Sequence, residues 1–244
     1  MQLRGNRDQI VIVGKGAHHG PRGARVNRDA IAADLVASLE RLQTDYIDLY
    51  LLHRDDPAVP VGEIVEWLNE HYRAGRIRAF GGSNWTTGRL QAAIDYAREH
   101  GLVPFVAGSP NFSLAVWNEP PWKDCLSAAV EGKEWYGERQ VPLLAWSSQA
   151  QGFFTGRYSP EDRSNPTMVR TWYNEANFER LERARELGRR KGVSANAIAL
   201  AYVLCQPFPT FALIGPHTLE EIRTSCEALR VSLTPEELRW LNLE

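Results

Sequence analysis

Polar residues capable of chemistry stand where short apolar runs of this chain end. Lys15 closes Val11-Ile12-Val13-Gly14, and His53 closes Ile47-Asp48-Leu49-Tyr50-Leu51-Leu52. Ser83 and Asn84 follow Arg78-Ala79-Phe80-Gly81-Gly82, Ser109 follows the Val103 to Ala107 run, and Trp146 with Ser147 follows Pro142-Leu143-Leu144-Ala145. The turn after Ile214 carries Gly215, His217 and Thr218. Lysine and histidine at such ends suit charge stabilisation and proton handling. Glycine followed by a helix N-terminus suits a phosphate. Each residue also has a plain structural reading. Lys15 would serve as a solvated loop lysine, His53 as a core histidine bonded to Asp55 or Asp56, and Trp146 as a core aromatic. Ser83 and Asn84 would serve as helix caps, a role open also to Thr86 and Thr87. His18 and His19 read as a mobile, solvated loop, because no third ligand is spaced for a metal.

The elements that must position these groups alternate. Strand-like runs span 9–13, 46–52, 77–81, 103–107, 141–146 and 209–214, and helical patterns span 30–42, 62–74, 88–100, 175–191 and 195–204. Ile31, Leu35, Leu39 and Leu42 share one helical face. Strands apolar on both faces, alternating with amphipathic helices, predict a parallel sheet covered by helices. A doubly wound sheet and a barrel both satisfy that pattern. The absence of a GxGxxG turn after the first run disfavours a Rossmann unit, and chemistry spread over many strand ends is the habit of the (β/α)8 barrel.

At 244 residues, 43% hydrophobic and with net charge −2, the chain reads as one globular domain, 1–244, with no basic patch for nucleic acid and no membrane-length apolar run. Met1-Gln2-Leu3-Arg4-Gly5 lacks the apolar core of a leader, and Cys125, Cys205 and Cys226 fit buried free thiols of a reducing cytoplasm.

In order along the chain, Val11–Lys15, Tyr46–His53, Gly75–Trp85, Pro142–Ser147 and Ile214–Glu221 resemble the third, fourth, fifth and seventh strands and the last loop of aldo/keto reductases. The details at 108–114, 146–154 and 212–218 are similar to bacterial members found beside sugar-type oxidoreductases of the Gfo/Idh/MocA kind. The resemblance implies that Lys15 and His53 are catalytic, the lysine lowering the pKa of a tyrosine that protonates the substrate oxygen. It implies that Ser83 and Asn84 hold the nicotinamide carboxamide, that Ser109, where many members have glutamine, makes that contact more weakly or through water, and that Trp146 stacks on the ring. Ser147, Gln149, Gly152, Gly215, His217, Thr218, Glu221 and Ser225 then belong to the nucleotide site. NADP(H) is the expected cofactor, with NAD(H) open, because Glu221 stands where the family often has Gln or Arg and Ser225 where it often has Asn.

The resemblance further implies a (β/α)8 barrel lacking about its first two strand-helix units, with the family's catalytic aspartate and tyrosine upstream of residue 1. Exposed sheet edges are then expected, with self-association or an N-terminal complement to cover them. The function expected is hydride transfer to or from an aldehyde, ketone or sugar-like carbonyl. The aromatic loops 111–122 and 153–172 are candidates for stacking on such a substrate or for packing as lids. A non-catalytic nicotinamide-binding or scaffold module is the alternative. Thr218 with Glu221, and Thr234 with Glu237, read as capping boxes.

Overall fold

Strands and helices alternate through the computed structural model, which describes residues 5–21 and 23–244. The Met1–Arg4 stretch considered as a leader lies outside them. Two compact units form, Met1–Ser109 and Pro110–Glu244.

The first unit holds β1 (Val13–Gly16), α1 (Arg28–Leu42), β2 (Leu49–Leu52), α2 (Val61–Arg73), β3 (Phe80–Ser83), α3 (Thr87–Glu99) and β4 (Gly108–Ser109). Its strands pair in parallel in chain order, with Lys15 opposite Leu51 and Ser83 opposite Ser109. Tyr50, Leu51 and Leu52 are fully buried, as a parallel strand covered on both faces requires. Asn27 caps α1 by accepting from the Ala30 N–H, and Thr86 caps α3 by accepting from the Arg89 N–H. Ile31 and Leu35 are buried, whereas Leu42, at the last position of α1, is exposed.

The second unit holds α4 (Lys133–Arg139), β5 (Leu143–Ala145), α5 (Pro166–Trp172), α6 (Glu175–Lys191), α7 (Ala195–Leu204), β6 (Thr210–Ala212), α8 (Leu219–Glu227) and α9 (Pro235–Leu241). β5 and β6 pair in parallel. α7 is buried from Ala197 to Val203, which explains its nearly uninterrupted apolar sequence. Thr234 and Glu237 form the expected capping box at α9.

Three predicted strands are displaced, the run at 77–81 shifting to Phe80–Ser83. The run at 9–13 contributes only its last residue to β1, because Arg7–Gln9 turns as a 3-10 segment and the Ile12 N–H donates to the Asp48 carboxylate. The run at 103–107 gives way to β4 at its far end. Pro104 has no N–H to donate, and the buried Asn69 side chain accepts from the Val103 N–H and donates to its carbonyl, both at 3.0 Å. The thiols also differ from expectation, since only Cys125 is buried and Cys226 is exposed.

Candidate active site

The ends of β1 to β4 place Lys15, His53, Ser83, Asn84 and Ser109 in one polar cluster. Lys15 Nζ donates to Ser83 Oγ at 3.0 Å and to Ser109 Oγ at 3.2 Å. Ser83 Oγ donates to the Ser109 carbonyl at 2.9 Å, and both serines are fully buried. Asn84 sits in the left-handed region at φ 57° and donates weakly to Ser83 Oγ and the His53 carbonyl, at 3.3 and 3.4 Å. Thr86 takes the cap of α3, so Ser83 and Asn84 are not spent on that role.

Neither Asp55 nor Asp56 holds His53. Asp55 forms a two-pronged pair with Arg89, at 2.9 and 3.0 Å, and Asp56 accepts from the Ala58 N–H. Burial, and after it the charge of Lys15, pushes the His53 imidazole down to about 4. At neutral pH it is an uncharged ring with one N–H to offer. Tyr50, the residue whose hydroxyl lies against Gly16, is no substitute proton donor. Burial pushes that hydroxyl upward, the wrong direction for an acid.

Gly81 and Gly82 allow a close approach of protein to the strand. A Cβ on Gly81 would fall 2.2 Å from the Ala107 carbonyl, and one on Gly82 would fall 2.6 Å from the Trp85 ring. The two glycines serve strand packing rather than a ligand.

In the second unit, a cavity of about 600 Å³ is lined by Ser147, Gln149, Gly152, Gly215, His217, Glu221 and Ser225. Gln149 Nε2 donates to Ser225 Oγ at 3.1 Å, tying the segment after β5 to α8. Ser147, Ala150 and Gln151 all have positive φ, an unusual concentration for non-glycine residues, and Gly152 follows at φ 86°. Thr218 is not on the wall, and it caps α8 by accepting from the Glu221 N–H at 3.1 Å. The Glu221 carboxylate accepts from the N–H of His217, one residue before the cap, at 2.6 Å. The bond therefore differs from the capping box expected there. That bond, ahead of opposing burial and lesser contacts, holds the Glu221 carboxyl below its usual range. Trp146 also lies off this wall, with Trp117 and Trp122 beside it at 5.7 and 5.9 Å between ring centroids.

The cavity falls within the size range of small-ligand sites, and its amides, hydroxyls and open glycine backbone suit the sugar and base of a nucleotide. An extra phosphate is less well served. Arg157 on the wall already pairs with Glu221 at 3.8 Å.

Residues 1–242 match the model of the Aldo/keto reductase family. The chain belongs to that family. It is 30% identical to an oxidoreductase of Bacillus subtilis, YrpG, over 97% of this chain and 72% of that protein. It is 29% identical to the 6-dehydroglucose reductase of Agrobacterium fabrum, over 98% of this chain and 73% of that protein. Among solved structures it resembles the thermostable aldo-keto reductase Tm1743, crystallised with the inhibitor epalrestat, at TM-score 0.71 and 26% identity, covering 97% of this chain and 72% of that one.

Within this aldo/keto reductase, the expected residues therefore fall into the strand-end cluster and the cavity, with Trp146 and Thr218 outside both. Arg157 and Asn196 line the cavity and were not anticipated. Arg157 lies in an aperiodic loop, and Asn196 reads in sequence as an ordinary residue of the first turn of α7. The aromatic loops divide. Phe153, Phe154 and Trp172 are buried in the core, whereas Trp122 is 56% exposed.

Proposed function

We propose that this family member is an NAD(P)(H)-dependent carbonyl oxidoreductase whose substrates are aldehydes, ketones or sugar-like carbonyls. The observation that carries this is the joint placement of Lys15 and a neutral His53 with Ser83, Asn84 and Ser109 at the ends of four adjacent parallel strands. A bound nicotinamide would supply or accept the hydride. His53 donates its N–H to the carbonyl oxygen, favouring charge there as the transition state forms. Lys15, anchored by the two serine hydroxyls, adds positive potential beside the same oxygen. Ser83, Asn84 and Ser109 offer the carboxamide its hydrogen bonds. In the second unit, Gln149, Asn196 and the Gly215–His217 turn would hold a nucleotide, with Arg157 as the positive group toward a 2′-phosphate. NADP(H) remains the cofactor of this reading, and NAD(H) is accommodated because Glu221 competes for Arg157. The match over residues 1–242 supports treating the two units as one reductase domain. Free thiols at all three cysteines support a cytoplasmic setting, and no helix among the described residues is long and apolar enough to cross a membrane.

A second reading, cofactor binding without turnover, is favoured by one contact. Two of the Lys15 N–H groups go to the serines assigned to the carboxamide, an arrangement that suits holding a cofactor. One experiment separates the two. NADPH and NADH binding is followed by fluorescence, and carbonyl reduction is assayed across a panel of aldehydes, ketones and oxidised sugars. Turnover that falls at least about a hundredfold in His53→Ala, with binding retained, is expected. Binding with no turnover on any carbonyl leaves the module reading standing, and failure to bind either nucleotide overturns both.

A further inference from the structure

His53 is half-buried, and its carbonyl accepts from Arg54 and Asn84. Among the described residues no hydrogen bond reaches its ring. Imidazole rotation there would move the N–H away from a substrate oxygen, so something else must fix the plane. The ring of His18 meets it edge-on, with centroids 4.6 Å apart and planes at 79°, the favoured geometry of an aromatic pair.

His18 is exposed, in keeping with a solvated loop, and its backbone is tied down on both sides. Ala17 before it is fully buried at φ 56°, and its N–H donates to Asp34 Oδ2 at 2.8 Å. Arg25 grips Asp34 through two bonds, at 2.8 and 3.1 Å, and donates to the His18 carbonyl at 3.3 Å. Gly20 and Gly23 close the loop with a reciprocal pair of backbone bonds at 2.9 and 3.0 Å. The groups acting on the His53 ring are Lys15 from β1, His18 and His19 from this loop, and neighbouring Arg54. None is a carboxylate that could anchor the ring, since Asp55 is committed to Arg89.

We propose that His18 is a positioning residue for His53: its ring edge fixes the plane of the His53 imidazole, and the Asp34–Arg25 clamp holds His18 there. The functional consequence rests on the reading of His53 as the group that polarises the carbonyl. The geometric consequence does not.

The test uses the full chain labelled with ¹⁵N, comparing wild type, His18→Ala and His18→Phe. Ring-nitrogen spectra at pH 7 report the tautomer and order of His53, and carbonyl reduction reports kcat and KM. Wild type should show one neutral tautomer. His18→Ala should average two, with kcat down on the order of tenfold and KM within about twofold. His18→Phe keeps an aromatic edge and should restore both readouts. Unchanged His53 signals in His18→Ala would overturn the proposal, as would failure of His18→Phe to restore them. Absence of carbonyl turnover in wild type would sink the reductase reading while leaving the spectral test intact.

Discussion

His53 and Glu221 show how single side chains set the working conditions of this site. An imidazole held near 4 in the fold, against 6.5 when free, binds fewer protons folded than unfolded across that interval. Stability contributed at neutral pH is therefore lost as pH falls from 6.5 toward 4, and the loss levels off below that. His71, also buried and lowered, acts in the same direction. The informative quantity is thus the difference between wild type and His53→Gln in urea unfolding at pH 7 and pH 4.5, and the wild type should lose more stability on acidification. For catalysis, the acid limb belonging to His53 should fall near pH 4 rather than 6.5, which a kcat/KM profile against pH would locate. Glu221 pairs with Arg157, and on the proposed reading that carboxylate would compete with a 2′-phosphate. Glu221→Gln should tighten NADPH about threefold to fivefold and leave NADH nearly unchanged. Equal gains for both nucleotides in a fluorescence titration would remove Glu221 from that role.

Among the elements, the end of β1 is the most constrained by packing. A Cβ on Gly16 would lie 1.8 Å from the Tyr50 hydroxyl, which is itself buried without a partner among the described residues. Gly16→Ala should cost about 1–3 kcal/mol, measurable as a shift in urea midpoint. Combined with Tyr50→Phe it should recover part of that loss, because the obstructing oxygen is gone and no hydrogen bond is sacrificed. Full additivity of the two changes would show that the clash is not what matters. The helical patterns at 175–191 and 195–204 coincide with α6 and α7 because their periodicity is local, and the structure adds the caps Asn174 and Ser194. Strand bounds were less legible. The register of β1 depends on Asp48 reaching Ile12, and that of β4 on Asn69 reaching Val103, two side-chain bonds between residues more than thirty positions apart.

At the level of the whole molecule, each unit exposes apolar groups beside a terminal strand. Among the described residues, β1 pairs only with β2 and β6 only with β5. Val11 is 75% exposed near the first, and Phe211 is 57% exposed within the second. Such edges template association, so sedimentation velocity should show concentration-dependent self-association that Val11→Lys with Phe211→Lys reduces; a monodisperse monomer at high concentration would refute this. The sequence by itself determined the alternating architecture, the family, and the polar residue types at strand ends, because burial on both faces and helical periodicity are written locally. Only the tertiary structure decided their partners. It joined Lys15 to Ser83 and Ser109, committed Asp55 to Arg89 and so left the His53 ring to His18, and set Glu221 against Arg157. Those outcomes depend on which strand ends and loops meet in space, which no local pattern encodes.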